Sequence, residues 1–491
     1  MRKTSAWIIV LTVAGSTTGV LVGAQEVPPM PGMAREQEQH QHMEMGSVKA
    51  VYPRIGRAQE HAPGPLFTRE DAQRLASGGN PTLRQAEAEI RAAKARQQQA
   101  GLYPNPTVGY ISDEIRGGSV GGGKQGFFLQ QNIVTGGKLA NNRAVFSKET
   151  RIAEIEAEEQ KLRVETGIKT AYLRVLAAQE MLDVRRDLAK IEEDYAATQK
   201  ELRNTGQTDE TEVLTAEITA RRQQLTAHMQ ENALREEWRS LCAIIGKPEL
   251  PLAVVSGDLE HGWPELNEEQ VLEKIAGESP ATRIAAMAAG RAEAELFQAK
   301  RLAIPDVQLR GGLQYNNELL GSVQHAKGWE GLAEVGIQVP IFNRNQGGVA
   351  AATAETERAK LERQRVTLTL QQRTTSVLDE YANAKLTAQE YRDELLPRAK
   401  RAYDLMNQKY GQMLASYPRV VETQRRLYEL QGEYIQSLEN VWTTGIALQG
   451  YLLTDGLEAP SRPGEVDRPV REVNLPVPVG MTAPLGGTSR P

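Results

Sequence analysis

From Lys138 to Asn204 the chain has no proline and one glycine, Gly167. An uninterrupted helix of that span would reach roughly 100 Å, several times the width of a small domain. Its apolar residues recur at threes and fours: Ile152, Ile155, Leu162, Ile168, Val175, Leu182, Leu188, Ile191 and onward to Leu202. Ala, Glu, Gln, Lys and Arg fill the rest, which is a coiled-coil pattern and not that of a globular core. A second such run covers 349–408, where Pro397 is the one breaker and predicts a kink or local break. Shorter returning helices are expected at about 209–245 and 416–452. The segment 81–101 added end to end to 209–245 would match the long partner in length.

The two long runs belong to an internal repeat. "LFTREDAQRLASGGNPTLRQAEAEIRAAKARQQQAGLYPNPTVGY" (66–110) aligns with "ELNEEQVLEKIAGESPATRIAAMAAGRAEAELFQAKRLAIPDVQLR" (265–310). Pro81 pairs with Pro280 and Pro106 with Pro305, each 199 residues apart, and Gly206 pairs with Gly411 at 205. Each copy reads as a short helix with Thr68 or Asn267 as N-cap, then a helix opened by Asn-Pro or Ser-Pro. Two strands follow, then the long helix, a glycine-bearing turn and the returning helix. The first copy spans 66–255 with its helical hairpin at 138–245; the second spans 256–455 with its hairpin at 346–452.

Strands are expected at about 106–115, 125–134, 306–316 and 329–339. In the third, Val307, Leu309, Gly311, Leu313 and Tyr315 fall on one face, and Gln308, Arg310, Gln314 and Asn316 on the other. Period-two alternation over about ten residues is the signature of a transmembrane β-strand, although a half-buried soluble sheet alternates too. Four strands cannot close a barrel, and an open edge in lipid leaves backbone groups unpaired. Spanning strands therefore imply several chains in one barrel. Each strand pair leads to its helix through "NIVTGGK" or "VPIFNRNQGG". Gly136 and Gly137, and likewise Gly347 and Gly348, are expected to redirect the backbone, with Pro340 ending the ladder because it has no N–H.

The first 24 residues read as an export signal: Arg2 and Lys3, an apolar core, then Val22-Gly23-Ala24 as a small-residue cleavage site. No cysteine follows that site, so no lipid anchor is expected. Residues 25–65 look unfolded, and 456–491 form a Pro-rich tail. The formal charge of −5 leaves no basic footprint for nucleic acid, and a mean hydropathy of −0.47 is too low for a helical membrane protein. The single cysteine, Cys242, excludes an internal disulfide and a cysteine-cluster metal site. No nucleophile elbow, phosphate loop or zinc-protease pattern occurs, so neither enzyme activity nor a cofactor is expected.

The motifs "NPTLRQAEAEIRAAKARQQQAGLYPNPTVGY", "VPIFNRNQGG" and "LRNTGQTDETEVLTAEI", in this order and duplicated, resemble the TolC family of outer-membrane efflux proteins over about 66–453. "LYPNPTVGYISDEI" and "YRDELLPRAKRAYDLMNQKYGQM" are most similar to its heavy-metal branch, the CzcC-like and CusC-like factors. The resemblance implies a mainly α fold with a membrane β-barrel: a homotrimer sharing a twelve-stranded barrel above a long α-helical periplasmic tunnel. It implies residence in the outer membrane of a Gram-negative bacterium, with lipid around the barrel. It also implies docking with a periplasmic adaptor and an inner-membrane, proton-driven pump of the RND type. A multidrug duct of the same fold, or a soluble periplasmic scaffold or adaptor, are the alternatives.

On that resemblance the helical tips meet the adaptor: Arg203, Asn204, Thr205, Gly206 and Gln207 in the first, Tyr410, Gly411, Gln412 and Ser416 in the second. Some family members narrow the mouth with two Asp residues, six and nine positions after the second-tip glycine. Counted from Gly411 those positions hold Tyr417 and Val420, which removes the carboxylates. Asp209, Glu210 and Glu212 could supply negative charge instead, or simply suit a helix N-terminus. His40, His42, Met43 and Met45 form the one metal-flavoured cluster, with imidazole and thioether donors suited to soft metals.

Overall fold

The computed structural model describes residues 52–60, 64–113, 123–317 and 328–459. The predicted signal at 1–24 and the His40–Met45 cluster lie outside them, as does the tail beyond Ala459.

The same order of elements occurs twice. A short helix α1 (Arg57–Glu60) leads in. The first round has α2 (Arg69–Gly79), α3 (Pro81–Ala100), β1 (Thr107–Asp113), β2 (Lys124–Ile133), α4 (Lys138–Asn204) and α5 (Glu210–Ile245). The second has α6 (Glu268–Glu278), α7 (Pro280–Arg301), β3 (Val307–Asn316), β4 (Gly328–Ile337) and α8 (Gln346–Glu390). It ends with α9 (Leu396–Gly411) and α10 (Tyr417–Gln449).

The caps explain the starts. Thr68 and Asp71 form a reciprocal capping box at α2, and Asn267 accepts from the Gln270 N–H at α6. Asn80 accepts from the Thr82 N–H at 2.8 Å, Ser279 from the Thr282 N–H at 3.3 Å, and proline follows each at the first helical position. α4 runs unbroken for 67 residues. Its one glycine has a packing reason: a Cβ on Gly167 would stand 2.8 Å from the Gly456 nitrogen, where the chain crosses after α10. Between α8 and α9 the expected break is a single wide π-turn at Tyr391–Leu395, just ahead of Pro397. That turn relieves the clash of the proline ring with the preceding turn while the axis continues.

α3 continues α5 across a tight joint. The Asn80 Nδ2 donates to the Ile244 carbonyl at 2.8 Å and to that of Gly456 at 3.2 Å. A Cβ on Gly79 would stand 2.3 Å from the Ile245 carbonyl oxygen, so the helix ends nearly touch. α4 packs on α3, α5, α7 and α10, and α8 packs on α7 and α10.

The largest core sits midway along α4. Ile168, Val175, Leu176 and Leu188 meet Trp238, Leu241 and Ile245 of α5, Tyr434, Ile435 and Leu438 of α10, and Val255 and Leu259 between the repeats. Beyond it the clusters shrink: Ala196 with Ala216 and Ala220 in the first hairpin, Ala289 and Ala292 with Ala359 in the upper second repeat. Alanine contacts bring helix axes close but bury little apolar surface each.

One expectation fails at its edge. Within 25–65, the segment Tyr52–Glu60 is ordered and bonded to α4 and to the segment between the repeats. Gly56 donates to Glu180, Arg57 pairs with Asp187 and Gln59 bonds Gly257. Composition misled because these bonds are mostly to long-range partners, which leave no local periodicity.

Candidate channel wall and helical tips

The four strands form one antiparallel sheet in the order β1-β2-β3-β4. Its register stacks like with like. Phe127 opposes Leu313, Val307 opposes Ile337, Leu309 opposes Val335, and Tyr315 opposes Trp329. One face is therefore apolar, and it is bare: Phe127 is 66 % exposed, Leu313 62 %, Trp329 71 % and Val335 70 %. The opposite face is polar. Lys124 pairs with Glu330 at 3.3 Å and Arg310 with Glu334 at 3.7 Å, and the Arg310 guanidinium lies 4.1 Å from the Phe128 ring centroid. Among the described residues β1 and β4 each pair on one side only. The sheet is thus open at both edges, an arrangement that invites further strands.

The strand-to-helix junctions differ from the expectation. In the first repeat Gly136 and Gly137 both take left-handed backbone, at φ 67° and 68°. In the second, Gly347 and Gly348 already lie inside α8, and the left-handed step belongs to Asn345 at φ 58°. The Asn345 Nδ2 holds the bend by donating to the Ala299 carbonyl at 2.8 Å. Nor does Pro340 end the ladder. Pairing stops at Ile337, because its partner strand begins at Val307, just after Pro305.

At the first tip the Gly206 N–H donates to Arg203 and the Gln207 N–H to Leu202, at 2.9 and 2.8 Å, with Gly206 at φ 74°. This is a Schellman-type close. The second tip repeats it two residues later than the glycine: Met413 donates to Tyr410 and Leu414 to Lys409, at 2.9 and 2.8 Å, with Met413 at φ 60°. Gly411 is the last residue of α9 and Met413 is the structural counterpart of Gly206.

That shift corrects two mouth residues. Val420 is fully buried against Tyr403 and Leu427, so it cannot line a passage. Tyr417 is half-buried between Tyr195 and Tyr410, at ring-centroid distances of 5.9 and 5.7 Å. Counted from Met413, the positions six and nine residues on are Arg419 and Glu422, both exposed. The buried stripe Val420, Val421, Gln424, Leu427 and Tyr428 on α10, at threes and fours, was the sequence signal for this phase.

Other tip residues have local duties. Asp209 caps α5 by accepting from the Glu212 N–H at 2.9 Å, and Glu210 lies 3.4 Å from Arg203. Asn204, Thr205, Gly206, Gln207, Gln412 and Ser416 are exposed. Met413 and Leu414, 78 % and 73 % exposed, make the second tip apolar where the first is polar. Above the tips, Arg425 of α10 makes a bidentate pair with the buried Glu192 of α4, tying the hairpins together. Among the described residues no group of three or more His, Cys, Asp or Glu side chains is placed to hold a metal ion. Cys242 is buried, and burial pushes its thiol up to about 11.

Comparison with known proteins fits this geometry. The chain is 22 % identical over 408 residues to the cobalt-zinc-cadmium resistance protein CzcC of Cupriavidus metallidurans, covering 83 % of this chain and 93 % of that protein. The crystal structure of CusC superposes with a TM-score of 0.65 at 16 % identity, over 78 % of this chain and 91 % of that one. VceC of Vibrio cholerae, an outer membrane protein, gives 0.63 at 16 % identity, over 79 % and 97 %. The fold is TolC-like. The profile of the outer membrane efflux protein family matches residues 73–247 and, a second time, 271–452. The chain belongs to the outer membrane efflux protein family.

Proposed function

We propose that this protein is the outer-membrane duct of a tripartite efflux system that exports heavy-metal cations. The observation that carries the duct is the sheet: a bare apolar face, a charged opposite face and two open edges, joined directly to helical rods. A lone sheet of this kind is unstable in lipid, whereas copies joined edge to edge leave no backbone group unpaired. Three copies supply twelve strands. The helices have matching open flanks, with exposed Leu214, Ile218, Leu225 and Met229 on α5 and Leu361, Leu368 and Leu386 on α8. Packing α5 of one copy on α8 of the next closes the ring and covers both stripes. Relatedness to a cobalt-zinc-cadmium resistance protein along most of both chains supports the metal substrate.

In this reading the barrel sits in the outer membrane of a Gram-negative bacterium and the rods cross the periplasm. The tips around Gly206 and Met413 meet a periplasmic adaptor, with Arg419 and Glu422 beside the mouth. The inner-membrane pump of the RND type supplies the energy and selects the metal, and the duct passes it on. Fractionation and metal challenge test the reading together. The mature protein is expected in the wash-resistant outer-membrane fraction as a trimer, and its deletion is expected to lower tolerance to cobalt, zinc, cadmium, copper or silver. A freely soluble monomer would point to a periplasmic scaffold. Unchanged metal tolerance with lost drug tolerance would overturn the substrate.

A further inference from the structure

The segment Tyr52–Glu60 precedes both repeats yet holds both. The Tyr52 hydroxyl donates to Asp404 of α9 at 2.6 Å. Its ring meets Tyr403 edge to face at 5.9 Å, and Lys400 Nζ lies 4.7 Å from its centroid. Four residues later the Gly56 N–H donates to the Glu180 carboxylate of α4 at 2.7 Å, and Arg57 pairs with Asp187 at 2.6 Å. Gln59 then exchanges two bonds with Gly257 between the repeats, at 2.8 and 3.1 Å. Tyr403 stands eight residues before Gly411, about 12 Å along the helix from the second tip.

Resting on the duct reading above, we propose that Tyr52–Gln59 is a strap. It holds the mouth-side end of the second hairpin to the first hairpin of the same subunit, and it lets go of α9 when the mouth widens. The two ends of the strap are unequal. The α4 end has the buried Glu180, the Arg57–Asp187 pair and the paired Gln59–Gly257 bonds. Among the described residues of the strap, Tyr52 is the side chain that holds the α9 end, through Asp404 and Tyr403. The strap therefore stays anchored on α4 and releases at Tyr52.

The anchor is built on a buried carboxylate. Glu180 faces Gly56 and Gln59 of the strap, Asp183 on its own helix and Glu260 from the segment after α5, with Asp187 and Arg57 one turn further along. Burial raises its carboxyl to about 7. The Gly56 and Gln59 bonds of the strap pull the other way and favour the carboxylate.

The test uses full-length trimer in detergent and in planar bilayers. Tyr52→Ala is expected to speed hydrogen exchange at the α9 amides about tenfold, and Tyr52→Phe, which keeps the ring, about threefold. A short bismaleimide cross-link between Tyr52→Cys and Asp404→Cys is expected to suppress wide conductance states. Cys242, buried with a raised thiol, stays out of that reaction. Exchange at α9 unchanged in Tyr52→Ala, or conductance unaffected by the cross-link, would overturn the strap. If the wild-type protein forms no channels at all, the duct reading falls, and the exchange measurement still decides whether Tyr52 holds α9.

Discussion

The two repeats make the same turns with different residues. Where the first leaves its sheet it spends two glycines, Gly136 and Gly137, in left-handed backbone; the second uses one asparagine, Asn345, bonded to Ala299. Where the first hairpin turns it places Gly206 in the left-handed position; the second places Met413 there, at a steric cost. The backbone path is kept and the chemistry on it is not. At the second tip the same path carries an exposed apolar pair, Met413 and Leu414, where the first tip is polar.

The junctions should break this equivalence most strongly. Gly136→Val puts a β-branched residue in left-handed backbone, with its Cβ 2.8 Å from Ile304 Cδ1. It is expected to cost about 3 kcal/mol in denaturant unfolding. Gly347→Ala, in an open first helical turn, is expected to gain about 0.5 kcal/mol. Equal losses at both would mean that the two glycine pairs serve one purpose after all. Next, Asn345→Ala removes the bond to Ala299 and leaves alanine in left-handed backbone, an expected loss of about 1–2 kcal/mol by the same measurement. The tips are expected to give modest effects of opposite sign: Gly206→Ala is expected to lose about 1 kcal/mol, and Met413→Gly to be neutral or to gain up to about 1. A loss at both tips would show that Met413 is held by contacts beyond its backbone.

The long elements were legible in the sequence because their signals are local and repeated. The limits of α4 follow from the absence of proline and the single glycine between Gly137 and Gly206, and Thr68, Asn80, Asn267 and Ser279 cap where their side-chain oxygens predict. The alternation in β3 and β4 returned the apolar face directly. What failed was reading backbone conformation from residue type. Gly347 and Gly348 look like Gly136 and Gly137, yet the turn falls on Asn345. Gly411 looks like Gly206, yet the turn falls on Met413. The second error moved the mouth positions onto the buried Val420, which the apolar phase of α10 could have prevented. Tyr52–Gln59 was missed because its partners lie more than a hundred residues away.

The wide turn at Tyr391–Leu395 sets the aim of everything below it. One surplus residue taken up in a wide turn sets all later side chains back by about 100° from where an unbroken α-helix would put them. α8 and α9 therefore share an axis but not a clock face. Excising a single residue there would heal the ladder and leave Tyr403 under Tyr52, whereas tightening the turn with every residue kept would swing Tyr403, Met413 and Leu414 about 100° around the axis.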